Sequence, residues 1–236
     1  MGELVVSERE GAFRYIAYVA GALAGSRGAK ARTQVSFSGG RAVLRVLAEE
    51  REASVRALAA DRIAEVYCIG YKYELLRGLI CPAGLSEEER GILRTAVIAA
   101  DLAADKRYVL SRLSEVREHT LDGFFRFRLR ELAAKWRGIA ACVPRVFTRG
   151  ELAEFMEYLL GGNRGRVFLK GSEVYDARCR RLRRSSLLGD GAPETDTLRE
   201  IVLSGAGKVE CLGSLSPAQE KFLKQYYAGR VAFAAR

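Results

Sequence analysis

The sequence predicts an α+β protein. An N-terminal β-α-β-β element spans residues 1–50, an all-helical block spans 51–160, and a small C-terminal α/β unit with a βαβ crossover spans 161–236. Three observations lead there. Val35 and Phe37, then Ala42, Leu44 and Val46, alternate across Ser38-Gly39-Gly40, the two-residue period of a hairpin with a glycine turn. From Ala53 the apolar period becomes helical and stays so to Leu160. Beyond the stop at Gly161-Gly162-Asn163, short apolar runs alternate with helices that carry start signals.

In chain order, Leu4–Ser7 reads as a strand, and Ser7 with Glu10 has the spacing of a capping box opening a helix to about Ala24. Gly25–Gly28 ends that helix, and Arg27, Lys30 and Arg32 mark an exposed linker before the hairpin. Val55, Leu58, Ala59, Val66, Ile69, Tyr73, Leu76 and Ile80 share one helical face, interrupted by Arg62. Cys81-Pro82-Ala83-Gly84 breaks the run. Ser86 then caps a helix whose first turn is Glu87-Glu88-Glu89, and acids there answer the positive helix end rather than a metal. Further helices are expected over about Lys106–Glu118, Asp122–Val143 and, boxed by Thr148 and Glu151, Glu151–Leu160. Val167–Lys170 and Val174–Tyr175 suggest a hairpin around Gly171. Asp196 or Thr197 caps a helix to Leu203, and Lys208–Leu212 is a strand. A helix boxed by Ser216 and Gln219, with Pro217 at its first position, leads into a last strand, Arg230–Phe233. Strand, helix, strand over that length implies parallel strands.

The core centres on Leu121-Asp122-Gly123-Phe124-Phe125-Arg126-Phe127-Arg128-Leu129. At about 100° per residue, Leu121, Phe125, Leu129, Leu132, Trp136 and Ala140 form one apolar seam, and Phe124 and Phe127 a second flank. A helix apolar on two sides is covered on two sides. Arg126, Arg130 and Arg137 share the remaining, solvated face. Asp122 at the helix start is expected to cap the N–H of Phe124 or Phe125, and Gly123 to allow close approach of the backbone or of a neighbouring helix. Arg128 lies about 60° from the seam, so its stem is partly buried and its head needs an anion. An internal ion pair, with Asp122 or a neighbouring glutamate, is the favoured reading, and an anion-binding pocket the other.

Composition narrows the function classes. The chain has 236 residues and a net charge of +10, most of it arginine spread along the whole length. Such a balance permits nucleic-acid or anionic-lipid binding, but an arginine-writing, GC-rich genome produces the same spread. Five cysteines with no Cys-x-x-Cys and one histidine, His119, exclude a disulfide framework and a zinc set, leaving reduced and mostly buried thiols and no metal site. Tyr15–Gly25 is apolar but too short to span a bilayer, and Glu3, Glu8 and Glu10 precede it where a signal peptide would be basic. A cytoplasmic location is expected. Gly205-Ala206-Gly207-Lys208 fails as a phosphate loop, having Val202 and Val209 at its key positions and running from helix into strand. His119 has no nucleophile or carboxylate spaced to use it, and its place near a helix end suggests a carbonyl partner. No catalytic residue or cofactor is expected. The densest basic cluster is Arg178, Arg180, Arg181, Arg183 and Arg184, read as a solvated, mobile loop or, alternatively, a phosphate contact.

Leu121-Asp122-Gly123-Phe124, followed by Phe127-Arg128-Leu129, resembles the signature of the YtxC-like sporulation proteins of endospore-forming bacteria. The likeness continues more weakly from about Leu75 to the end. It departs at Leu132, where an aromatic residue is commoner. The resemblance implies a role in sporulation without an assigned activity. The expected function is therefore non-enzymatic binding of an unknown protein partner in sporulating cells. Two alternatives stand beside it. One is nucleic-acid binding through Arg178–Arg184 and the Arg126, Arg130 and Arg137 ridge, and the other is an enzyme with an anion pocket at Arg128.

Overall fold

The computed structural model describes residues 3–25, 31–48, 51–113, 118–189 and 191–233, so Arg27 and Lys30 of the expected linker lie outside the described residues. The architecture is α+β, with strands and one helix first, a helical centre, and a strand–helix tail. The chain forms two compact units, neither continuous in sequence: Met1–Lys72 with Ala103–Trp136, and Tyr73–Leu102 with Arg137–Arg236.

In the first unit, β1 (Glu3–Arg9), β2 (Ala31–Ser38) and β3 (Arg41–Ala48) form an antiparallel sheet with α1 (Phe13–Ala24) packed on it. The glycine turn is present, with Gly39 at φ +58° and Gly40 at φ +71°, the pair of left-handed positions that a two-residue hairpin needs. Alternation puts Leu4 and Val6 of β1 and Ala42, Leu44 and Val46 of β3 into the core, and the same alternation buries Glu8. The Ser7–Glu10 capping box does not form. The β1–β3 ladder continues through Glu8↔Ala42 and Arg9↔Arg41, and a 3₁₀ turn, Glu10–Ala12, precedes α1 without a side-chain cap. Sheet pairing thus overrides the local signal.

α2 (Glu52–Glu65) passes through a π-helical stretch, Val66–Tyr71, into α3 (Lys72–Leu79). Gly70 in that stretch lies against the Tyr15 ring, where an added Cβ would stand 2.4 Å from Tyr15 Cε1. α4 (Glu87–Arg112) is one helix of 26 residues. The separate helix expected over Lys106–Glu118 is its last part, because nothing between Ala103 and Lys106 breaks a helix; Glu118 belongs instead to strand β4 (Glu118–Thr120). β4 lies parallel to β1 with Val6 opposite His119, and completes the order β2-β3-β1-β4.

The expected single helix from Asp122 to Val143 is two helices, α5 (Leu121–Arg128) and α6 (Arg130–Ala141), broken at Leu129. Leu121, Leu129, Leu132, Trp136 and Ala140 are buried as the seam required, while Phe125 is half-buried. The second flank is covered only in part, since Phe127 is 70% exposed. In the first unit, Trp136 Nε1 donates to Asp105 Oδ2 at 2.8 Å, and the buried Lys72 reaches the same oxygen at 2.8 Å. Lys135 holds Asp105 Oδ1, also at 2.8 Å. A carboxylate taken out of water survives only with this kind of full partnering.

In the second unit, α7 (Arg149–Leu160) starts at the predicted Thr148–Glu151 box. β5 (Arg166–Lys170) and β6 (Glu173–Tyr175) form the predicted hairpin. α8 (Pro193–Ser204), β7 (Lys208–Cys211), α9 (Pro217–Tyr226) and β8 (Val231–Phe233) follow, and the sheet order is β6-β5-β7-β8 with β5, β7 and β8 parallel. The Ser216–Gln219 box is present. α8, however, begins at Pro193, whose ring suits the first helical turn, and Thr197 lies inside it, donating to the Ser172 carbonyl at 2.8 Å. Gly205 ends α8 in the left-handed region at φ +61° and Lys208 opens β7, the helix-to-strand order that disqualified the phosphate loop.

Candidate functional site

The groups that the sequence singled out meet in the first unit, around the end of β1, strand β4 and helix α5. His119 is 4% exposed, on the middle residue of β4. Its partner is not a helix-end carbonyl, because it sits in a strand; its Nε2 is 2.8 Å from the Tyr67 hydroxyl. Tyr67 donates to the Leu121 carbonyl at 3.1 Å. A phenol has one proton, so once that proton serves Leu121, His119 Nε2 must be the donor to Tyr67. Burial holds the His119 pKa down to about 4, so the ring is neutral near pH 7. Phe124 packs on both partners, with ring centroids 4.6 Å from His119 and 5.6 Å from Tyr67. The π-helical stretch places Tyr67 and Tyr71 on this side together, and Tyr71 donates to Glu8.

Two carboxylates nearby are pushed apart. Glu8 is 1% exposed; burial raises its pKa, against the Tyr71 hydroxyl and the Arg9 N–H that bond to it. For Asp122 burial works upward too, but the Arg41 hydrogen bond and charge, then those of Arg9, win and lower its pKa. Arg41 Nη2 lies 2.7 Å from Asp122 Oδ1, and Arg9 Nε 3.1 Å from Oδ2. Asp122 therefore does not cap α5; the N-terminal position is Thr120, without a side-chain cap bond, because the two strand arginines claim the carboxylate. Gly123 is not at a tight approach either, as an added Cβ would meet only the Thr120 side chain, with Cγ2 at 3.4 Å and Cβ at 3.6 Å.

An open groove of about 630 Å³ lies beside this cluster, lined by Ser111, Arg112, Glu118–Thr120, Gly123, Phe124, Phe127 and Arg128. Of the seven motif residues, Gly123, Phe124, Phe127 and Arg128 thus line one space, while Leu121, Asp122 and Leu129 are not part of the lining. Arg128 is exposed and has no ion pair among the described residues, contrary to the expected buried pair; the carboxylate proposed for it is taken by Arg9 and Arg41. Arg126 is exposed and likewise without an ion pair among the described residues. Arg130 lies over the Phe127 ring at 5.7 Å. Arg112 is loosely paired with Glu131 at 3.8 Å. The seam geometry could not reveal the groove, because part of its lining is β4, a three-residue strand with no apolar signature.

The arginine loop is solvated as expected at Arg178, Arg180, Arg181 and Arg183, but much of its charge is ion-paired. Arg180 pairs with Asp176 at 2.7 Å, Arg181 with Glu173 at 2.5 Å, and Arg184 with the buried Glu200 at 3.0 Å. Leu182 N–H donates to the Val174 carbonyl at 2.8 Å, so the loop is stitched to β6. Arg178 and Arg183 are exposed, as is Arg137 in the second unit. Of the free cysteines, Cys68 and Cys211 are buried, but Cys81, Cys142 and Cys179 are exposed rather than mostly buried as expected. Among the described residues no group of three or more His, Cys, Asp and Glu could hold a metal ion, and no helix is long and apolar enough to cross a membrane. Comparison with protein-family models, curated proteins and solved structures gave no match.

Proposed function

We propose that this is a cytoplasmic, sporulation-associated protein related to the YtxC-like family, and that it works by binding a partner macromolecule on the α5 face rather than by catalysis. The observation that carries this reading is Phe127, a large aromatic 70% exposed and flanked by Arg126, Arg128 and Arg130. The ring lines the same groove as Phe124 and Arg128, which gives a partner a place to cover it. Four of the seven residues that carry the resemblance to the sporulation family, Gly123, Phe124, Phe127 and Arg128, line the groove. Chemistry is the weaker reading. His119 is spent on Tyr67, and Asp122 is held by two arginines away from the groove. An enzyme with an anion pocket at Arg128 draws on one fact, that His119 and Arg128 line the same groove.

The test is crosslinked capture from sporulating cells with tagged wild-type chain and with the Phe127→Ala/Arg128→Ala double variant. The wild type should recover a partner that the variant loses. Equal recovery by both would remove the α5 face from the function.

A further inference from the structure

We propose that β2 pairs with the β2 of a second copy of this chain, joining two sheets edge to edge across a two-fold axis at Gln34. In the order β2-β3-β1-β4 the strand is an edge, and β3 and α1 are the described elements that pack substantially on it. Natural edges are kept from pairing by short strands, prolines, lysines or bulges. β2 has none of these. It runs eight residues, Ala31–Ser38, in unbroken register with β3, and Arg32 is its one charged side chain. The turn decides which backbone groups face outward. Gly39 and Gly40 both have positive φ and Ser38 lies opposite Arg41, so this pair flanking the two-residue turn is hydrogen-bonded. Hydrogen-bonded and non-bonded pairs then alternate along the ladder. The N–H and C=O groups of Ala31, Thr33, Val35 and Phe37 therefore point away from β3. The far side of the hairpin agrees, because the Gly40 carbonyl accepts from the Glu10 N–H at 3.0 Å, leaving even positions there to serve β1.

The occupant is a second copy because this edge is complementary to itself. With the axis at Gln34, Thr33 meets the partner's Val35 and Ala31 meets the partner's Phe37, in hydrogen-bonded pairs that use every outward N–H and C=O. Moving the axis to Val35 would set Ala31 against the glycine turn and lose its pair. Phe37 is 55% exposed and makes a ring contact at 5.2 Å with Phe13 of α1, so the edge carries apolar surface on its α1 side. Opposite Phe37 comes the partner's Ala31, the smallest side chain of the strand, so a large ring meets a small neighbour. On the other face Gln34 meets the partner's Gln34, and an amide both donates and accepts. Arg32 meets the partner's Ser36, so no like charges are opposed. The pairing also closes, since both copies spend the same edge and the outer strand left on each is β4, three residues long. β4 lies at the far end of the sheet from β2, so the α5 face stays open in the dimer.

Sedimentation velocity of the full chain tests this from about 1 to about 300 μM, because a single strand pair is smaller than a standard interface and gives about micromolar affinity. The 26.0 kDa chain should sediment increasingly as a dimer over that range. Each copy carries a net charge of +10, so screening by salt should tighten the dimer several-fold. Val35→Pro removes an outward N–H that serves nothing inside the chain, and losing that bond on both copies should weaken association about tenfold. Gln34→Lys opposes two cations across the axis and should weaken it about fivefold. Gln34→Cys places two thiols at a non-hydrogen-bonded pair, where Cα atoms lie about 4.5 Å apart, within reach of a disulfide. Oxidation with a small disulfide reagent should crosslink that variant. Peptide mapping should place the bond between the two substituted positions and not at the exposed Cys81, Cys142 or Cys179. Gln34 is exposed, so its substitutions spare the fold, and they decide the matter alone if thermal melts show Val35→Pro to be unfolded. A chain that stays monomeric throughout, a dimer indifferent to Gln34→Lys, or a crosslink that forms elsewhere would overturn the proposal.

Discussion

Among single residues, His119 and Glu8 push the acid response of the first unit in opposite directions. Burial leaves His119 neutral, with a folded pKa of about 4 against about 6.5 for a free imidazole. A lowered histidine pKa means that the unfolded chain binds the proton more readily. The associated stability is therefore complete above pH 6.5 and is lost progressively as the pH falls toward 4, by up to about 3 kcal/mol. Glu8 acts in the other direction. Its pKa is raised, so its contribution is present at low pH and disappears as the pH rises through its folded value. Glu8 thus offsets part of the His119 loss, while Asp122, Asp105 and Glu65, whose pKa values are lowered, add to the loss at more acid pH. His119→Gln keeps a donor to Tyr67 and cannot titrate. Urea melts between pH 4.5 and 7 should show a shallower pH dependence for this variant than for wild type, and parallel curves would mean that His119 is not buried as neutral imidazole.

At the scale of elements, α5 and α6 separate a buried surface from a presented one. Trp136 is fully buried with its Nε1–H on Asp105, so Trp136→Ala should cost about 3–5 kcal/mol. Phe127→Ala should change stability by less than about 0.5 kcal/mol, as for other exposed sites. Denaturant melts compare them, and a large loss at Phe127 would mean that its ring is covered. How much of this was legible follows from range. Most signals within four residues came through: the Gly39-Gly40 turn and the boxes at Ser86, Thr148 and Ser216 form, while the Ser7–Glu10 box gives way to the β1–β3 ladder. The seam residues Leu121, Leu129, Leu132 and Trp136 are buried because a helical period survives a one-residue break. The break itself was not legible, as neither proline nor glycine marks Leu129. Strand β4 was not legible either. Its three residues carry no alternation, and its partner on β1 is more than a hundred residues away. The capture of Asp122 by Arg9 and Arg41 depends on that same distant pairing, so local capping was the wrong guide.

For the molecule as a whole, a net charge of +10 does not say where free charge lies, and many arginines turn out to be spent on internal carboxylates. Arg184 illustrates the consequence. It bonds Glu200 beside the buried backbone of Ser185, so residues 178–184 are part of the second unit's structure, and deleting them should unfold it rather than leave it intact. The tail reads as a self-sufficient α/β unit from 161 to 236, yet the compact unit that contains it also includes Tyr73–Leu102. Arg199 of α8 is buried, lies 5.5 Å over the Tyr73 ring, and approaches Gly91 so closely that a Cβ there would stand 2.3 Å from its Nη2. Tyr73, Leu76, Ile80, Ile92, Leu93 and Ala96 are themselves buried, and a fragment starting at 161 lacks all of them. The fragment 161–236 should therefore fail to fold alone, showing collapsed NMR amide dispersion and no cooperative urea transition where the full chain has one. A cooperative, well-dispersed fragment would mean that the tail carries its own core and that the helices from Tyr73 to Leu102 are dispensable to it.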